Sequence, residues 1–553
     1  MARTDFILQR FAAWSSRVTF AQLPERIVTA AQAQLLSMAA AGVAGRSADA
    51  GNAVARAWRR LERGRRVSLP GGGRAGILAA VDQAASWSLA HDYDDYTLMG
   101  HCGHSAVWVP LLLGDAVKCT HAQFVTAAVV ANEAAARLGT SLVLGPHNGQ
   151  MWAPIHRLAG AAAAAKLLDL DAARTAHALA IALYDANDPV FDGFFGVESK
   201  VRTAPAAATA GVLSAYLAAE GLTGAVDLLE ADHGFWHRFT YAPLPATFDG
   251  LGHSWCLDTL TIKPVPGCAY VTAVALGAER TCAAARETLG RLPRTDEIAE
   301  VVVEAGLLTV GMEALWARRR PRDWTRPAAI NFSVPLTAGL TCLHGALDSR
   351  AFAPDALEKH GEALTALAAR VRLVHDPALT QQTLAGLEQA FPLQAWLEAL
   401  PLTTLWRVRR RFPQDYGGSP RPDVWQAVRR GRPIDAATWR WLRRASGTLL
   451  GKTLDPLRGF PPTPLPFART DLRQLRFRFP ARVTLRLRNG QEWTAAADTA
   501  EGHRDGAARF ALARAKWRRE AINAGVTERG DQLIAAMAER ADAAAMLAAM
   551  RTV

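Results

Sequence analysis

The chain has 553 residues, 50% of them hydrophobic and 21% charged, with a formal net charge of +12. That length exceeds one compact core and predicts two or three domains, and the composition excludes a disordered or low-complexity chain. Six cysteines without CxxC spacing, and an N-terminus without a long apolar core, argue for reduced thiols and a cytoplasmic protein.

From residue 1 to about 255 the pattern is helical, so the fold class is mainly α. FVTAAVVANEAAARLG (124–139), DAARTAHALAIALYDAN (171–187) and AAATAGVLSAYLAAEG (206–221) carry apolar residues at threes and fours and stop at Gly or Asn. The alanine-rich stretch 159–168 is flanked by His156, Arg157, Lys166 and Asp169, so it falls short of a membrane span and predicts a tightly packed helix. Gly71, Gly72 and Gly73 after VSLP predict a turn.

After Trp255 the texture changes. TLTIKPVPGCAYV predicts a short strand entering a Pro/Gly turn, and residues 297–306 and 481–495 predict strands, the latter with a hairpin at Asn489-Gly490. After Glu501 the pattern is helical to the end. The predicted organisation is a helical domain over 1–255, a smaller α+β domain over 256–500, and helices 501–553 packing back on the helical domain.

The stretch from about 381 to 475 stands apart. It holds fifteen Arg and Lys against seven Asp and Glu, a net +8, in runs such as WRVRRRF (406–412), VRRGR (428–432) and WRWLRR (439–444). Arg interleaved with Trp406, Trp439 and Trp441 could bind phosphates and stack on bases. Trp396, Leu397, Leu400, Trp406 and Val408, however, recur at helical spacing, which predicts an apolar face docked on the protein itself. A gating or assembly element is expected, not a nucleic-acid module, with FPPTPLPF (460–467) as a stiff connector.

Chemistry concentrates in HDYDDYTLMGHCGHSAVWVP, residues 91–110, where Asp92, Asp94 and Asp95 stand with His91, His101 and His104 beside an apolar run. A general acid/base pair would be assembled in such a place; the plainer reading is an Asx-rich turn capping a helix that begins near Ser105. His101 and His104 could offer two metal ligands, but no further ligand is apparent. Neither GxxxxGK[ST], HExxH, GxSxG nor a strand-associated GxGxxG occurs, so no metal and no nucleotide cofactor are expected.

Seven motifs in order give a resemblance: HDYDDYTLMGHCGHSAVWVPLLLG, ANEAAARLG, PIHRLAGAAAAAKLLDLDAARTAHALAIA, ESKVRTAPAAATAGVLSAYLAAEGLTGAVDLLE, TIKPVPGCAYVTAVALG, INFSVPLTAGL and ARVTLRLRNGQEW. The chain resembles the MmgE/PrpD family, which includes 2-methylcitrate dehydratases, cis-aconitate decarboxylases and an iminodisuccinate epimerase. The segment 381–475 has no counterpart in that resemblance and reads as an insertion. The resemblance implies a site between the two domains, a small carboxylate substrate, a homodimer formed through the helical domain, and neither membrane nor cofactor.

It also implies roles. Asp92 matches the family aspartate, and either His101 or His104 matches the histidine, Ser105-Ala106 favouring His104 as partner of Asp92. Lys200 in ESKVRTAP matches a family lysine, with Arg202 beside it, and Lys263 in IKPVP matches another. The catalytic set is therefore Asp92, His104, His101 and Lys200; the substrate-binding set is Gln150, His147, Arg202, Lys263 and Cys268. Gln150 stands where decarboxylases carry a histidine, with His147 three residues away. Cys268 replaces a second histidine, and Val334 replaces a tyrosine that some relatives carry. The implied reaction is a cofactor-free dehydration next to a carboxylate. The rivals are isomerisation or decarboxylation of a related acid, or a noncatalytic protein that binds acids or nucleic acid.

Overall fold

The computed structural model describes residues 5–551 apart from 63, 65, 146–152, 187–192, 319–325, 392–399, 416–428, 430, 432–435, 437–438, 441–466, 503–504 and 527–529. The first part is helical: α1 (Ile7–Arg17), α2 (Glu25–Gly45), α3 (Asp49–Leu61), α4 (Ile77–Ala90), α5 (Gly103–Ala106), α6 (Trp108–Val117), α7 (His121–Ser141), α8 (Ala153–Leu167), α9 (Ala172–Tyr184) and α10 (Thr203–Ala219). A two-residue hairpin, β1 (Val67–Ser68) with β2 (Arg74–Ala75), closes over Gly71, Gly72 and Gly73, all at positive φ. Two further short strands, β3 (Asp95–Tyr96) and β4 (Thr261–Ile262), pair antiparallel although far apart in sequence, Asp95 opposite Ile262.

The predicted helices form because their apolar faces are buried and their ends are capped. The Thr120 hydroxyl accepts from the Gln123 amide at the start of α7, and Asp171 accepts from Arg174 at the start of α9. Small residues let α8 and α10 cross closely. A Cβ on Gly211 would stand 2.2 Å from the Arg157 carbonyl, and one on Gly160 would stand 2.6 Å from that of Ala208. By length and composition α2 could cross a membrane, but 89% of its apolar window is buried, and it packs on α4, α7 and a helix near the C-terminus. It is a core helix.

Beyond β4 come α11 (Ala269–Leu289), β5 (Ile298–Ala305), α12 (Leu307–Ala317), α13 (Val334–His344), α14 (Pro354–Ala368), β6 (Val371–His375), α15 (Pro377–Glu388), α16 (Leu402–Asp415), β7 (Ala481–Leu487) and β8 (Glu492–Ala497). The sheet runs β6-β5-β7-β8, with β5 and β6 parallel and the other pairs antiparallel. The predicted Asn489-Gly490 turn joins β7 to β8, with Gly490 at φ +89°. A second hydrophobic core lies between this sheet and α11, α13 and α14. The chain ends in α17 (Gly506–Asn523), α18 (Gly530–Ala538) and α19 (Ala543–Ala549). Trp517, Leu533 and Met546 of these helices are buried in the first core.

In the 381–475 stretch, Leu400 is buried with Ala242 and Leu244, and Arg407 donates to the Tyr241 carbonyl at 3.3 Å. The expected docking of the tryptophans is not what Trp406 and Trp439 do. They are 62% and 59% exposed, and the Arg410 guanidinium lies 5.2 Å from the Trp406 ring. The indole meets a guanidinium and solvent where core packing was expected. Trp396, Leu397, Trp441 and residues 460–466 lie outside the described residues.

Candidate active site

Helix α4 ends at Ala90, and the chain turns at Asp92 in the left-handed region, φ +50°. Aspartate tolerates that conformation better than most side chains, and its strain is the kind stored at functional sites. The turn delivers the DYDD segment to β3, whose pairing with β4 brings Lys263 alongside. The 3-10 turn Glu198–Arg202 supplies Lys200 from below α10.

Four charges meet there, none more than 4% exposed. Lys263 Nζ is 2.6 Å from Asp94 Oδ1, 3.2 Å from Asp92 Oδ1 and 2.5 Å from the Asp92 carbonyl; Lys200 Nζ is 2.6 Å from Asp92 Oδ2. Burial alone would raise the pKa of both carboxyls. Lys200 and Lys263 outweigh it at Asp92 and hold that carboxyl below its usual range, while His101, Lys263 and His104 hold Asp94 well below. Burial likewise works against the Lys263 ammonium, and Asp92 and Asp94 reverse it, so that its pKa is raised. The Lys200 ammonium also rests 4.2 Å above the Phe332 ring, a face that attracts a cation.

Asp94 is the hub of the histidines. His101 Nδ1 lies 2.5 Å from Asp94 Oδ2, and His104 Nε2 lies 3.4 Å from the same oxygen. Behind His104, Trp108 Nε1 donates to Ser88 Oγ at 3.0 Å, and that hydroxyl, also 3.0 Å from the Ala85 carbonyl, is 2.8 Å from His104 Nδ1. Ser88 has one proton to give, so the proton of a neutral His104 sits on Nδ1 when Ser88 donates to the Ala85 carbonyl and on Nε2, facing Asp94, when Ser88 donates to the imidazole. Burial, against the pull of Asp94, lowers the His104 pKa and keeps the ring neutral. His156, farther back, sits 3.0 Å from Ser105 Oγ and has its pKa lowered well below the usual value, first by burial and then by His104. With Nδ1 on a carboxylate, His101 has Nε2 left for a reacting group, the arrangement of an oriented general base.

Asp92, Asp94 and His101 also come close enough to hold a metal ion, their ligand atoms lying within 4.8 Å of one another. They do not fit one well. Both carboxylates already sit on ammonium groups, so a divalent cation would stand beside Lys200 and Lys263 against like charge.

The first part of the chain, residues 9–245, matches the MmgE/PrpD N-terminal domain. Over that span the chain is similar to the MmgE/PrpD family. Members of that family include dehydratases. No curated protein matches the chain.

The matched span contains Asp92, His101, His104 and Lys200, while Lys263 and Cys268 come from beyond it. All six lie in or beside the cluster. Cys268 is buried, and its thiol is pushed up to about 12 by burial and by Asp92; it remains a protonated thiol where relatives were expected to carry a histidine.

Two assignments change. Asp92 and His104 are not partners: Asp92 is taken by the two lysines, and both histidines turn to Asp94. Arg202 is not brought to the cluster; it forms a two-point ion pair with Asp82, and its side chain is 43% exposed. Positions two apart on a 3-10 turn diverge by about 240°, so the turn that buries Lys200 sends Arg202 elsewhere. Gln150 and His147 lie outside the described residues.

The sequence reading passed over Asp94 as the hub, although the DYDD segment itself offered it. It also passed over Ser88, His156 and the C-terminal residues that hold Tyr93 and Pro264 beside the site. Nothing in their local pattern distinguishes them from ordinary helix positions.

Proposed function

We propose that this protein is a cofactor-independent lyase of small di- or tricarboxylates, a hydro-lyase of the 2-methylcitrate dehydratase kind. The observation that carries the reading is the buried His101–Asp94 pair flanked by Lys263 and Lys200. His101 Nε2 takes the proton from the carbon next to a substrate carboxylate. Lys200 and Lys263 face the enolate-like charge that develops, and such fixed cations act most strongly where water is excluded. Hydroxide then leaves the neighbouring carbon, and the base returns the proton to solvent. Asp94 orients the imidazole and stabilises its protonated form. The family supports dehydratase chemistry as a class; the substrate and the step are this proposal's own.

The test is an NMR screen of hydroxy di- and tricarboxylates in D2O. An unsaturated acid formed with loss of water supports the hydro-lyase. Solvent deuterium exchange or inversion without an alkene would replace it with an isomerase or epimerase, and release of CO2 with a decarboxylase. No turnover, with salt-sensitive nucleic-acid binding instead, would favour the noncatalytic alternative. The working form is proposed to be a cytoplasmic homodimer associating through the helical part; light scattering that returns a single chain mass at micromolar concentration would refute the dimer.

A further inference from the structure

We infer that Lys516 and Arg519, on the C-terminal helix α17, are positioning residues that clamp the DYDD turn to the Lys263 turn from behind. The inference rests on the reading of Asp92, Asp94 and Lys263 as reaction machinery. Neither residue belongs to the span that matches the family domain, and neither touches the four-charge cluster by hydrogen bond.

The clamp closes on Tyr93 and Pro264. Lys516 Nζ donates to the Tyr93 carbonyl at 2.6 Å and to Ser37 Oγ on α2 at 3.0 Å, and it sits 3.9 Å from the centre of the Tyr93 ring. Its donors are thereby spent on one residue and one helix. Arg519 Nη2 donates both to the Tyr93 hydroxyl and to the Pro264 carbonyl. The Tyr93 hydroxyl is itself 2.9 Å from the Pro264 carbonyl and 3.2 Å from Glu520 Oε1. Glu520 is fixed in turn by the Ser349 hydroxyl and by Asn523 at 3.2 Å.

Position gives these contacts their meaning. Tyr93 lies between Asp92 and Asp94, and Pro264 follows Lys263. On the front of the two turns the Lys263 ammonium bridges the two carboxylates; on the back one guanidinium bridges the residues next to them. The relative placement of carboxylates and ammonium therefore depends on a helix more than 400 positions downstream of Asp92. Tyr93 is fully buried and Lys516 is 2% exposed. A buried donor pointing at a backbone carbonyl holds it in one place, because letting go would leave both groups unpaired.

A group that acts by positioning changes kcat more than KM, since a misplacement of about 1 Å can cost roughly 100-fold in rate. Arg519→Met and Lys516→Met should lower kcat by roughly 10- to 100-fold with KM within about threefold. Arg519→Lys, which keeps the charge but has no second nitrogen for the Glu520 carboxylate that Arg519 Nε meets at 3.2 Å, should recover only part of the loss. Tyr93→Phe removes the gripped hydroxyl and nothing of the packing, so it serves where the charge variants fold poorly. It should reproduce the Arg519→Met effect, and the double variant should be no worse than either single one. Additive losses, or an unchanged kcat in folded Tyr93→Phe and Arg519→Met, would overturn the clamp.

Hydrogen exchange tests the clamp without any substrate, and so apart from the hydro-lyase reading. In Arg519→Met, amides of 91–96 and 262–268 should exchange faster while those of the β7–β8 hairpin keep the wild-type rate. Unchanged exchange in both turns, or faster exchange everywhere, would show that Arg519 is merely structural. Failure of the wild-type protein to turn over any acid would sink the function and leave this result standing.

Discussion

Lys263 sets its ammonium 2.6 Å from Asp94 Oδ1, with neither side chain more than 1% exposed. The same ammonium reaches Asp92, 171 positions upstream, so one cation serves two carboxylates from a distant part of the chain. Breaking a buried pair by deleting one member leaves an uncompensated charge, at about 3–5 kcal/mol. Lys263→Met should therefore unfold at markedly lower denaturant and lose activity. A variant as stable as wild type in urea titrations would show that the pair is not buried in solution.

His101 and His104 differ in what they face, and their substitutions should differ accordingly. His101→Gln removes the proposed base and should cost about 100- to 10,000-fold in kcat. His104→Gln keeps an amide N–H for Asp94 and should cost less than roughly tenfold. Steady-state kinetics on the two folded variants decides the matter; an inverted order would return the base to His104.

His91 is fully buried, and its ring nitrogens have no hydrogen-bond partner among the described residues. Burial lowers its pKa to about 4. Folding therefore favours the neutral ring, whose contribution is complete above the ordinary value near 6.5 and is lost as the pH falls through about 4. His91→Phe, whose ring can pack against Phe352 as the imidazole does, should remove up to about 3 kcal/mol of that acid sensitivity. Melting temperatures at pH 7.5 and 5 in both proteins read the difference. Equal slopes would mean that His91 is hydrated.

The two ammonium groups on Asp92 and Asp94 make a metal a poor tenant of the cluster. Activity should survive prolonged chelation and dialysis. Stoichiometric zinc or iron in active protein, removed together with activity and restored on readdition, would mean that the lysines yield their carboxylates to the ion.

Where a signal is local, the sequence alone carried it. Helices α7, α9 and α10 follow from apolar spacing and their caps, and the β7–β8 hairpin follows from Asn489-Gly490, because turn chemistry acts within a few residues. The DYDD…GHCGHS segment drew attention by its density of ionisable groups, and Lys200 and Lys263 by their motifs. The pairing inside the cluster was decided by tertiary structure. Asp92 goes to lysines and Asp94 to histidines because β3 meets β4 and a left-handed turn separates the two carboxylates, and no spacing in the chain encodes that. Lys200 and Arg202 look alike in sequence and diverge because one short 3-10 turn aims them differently. Lys516 and Arg519 look like the solvated face of a basic helix. Lys516 is buried and Arg519 half-buried because α17 returns to pack on α2, and a partner across more than 400 residues is fixed by that packing, not by neighbours along the chain.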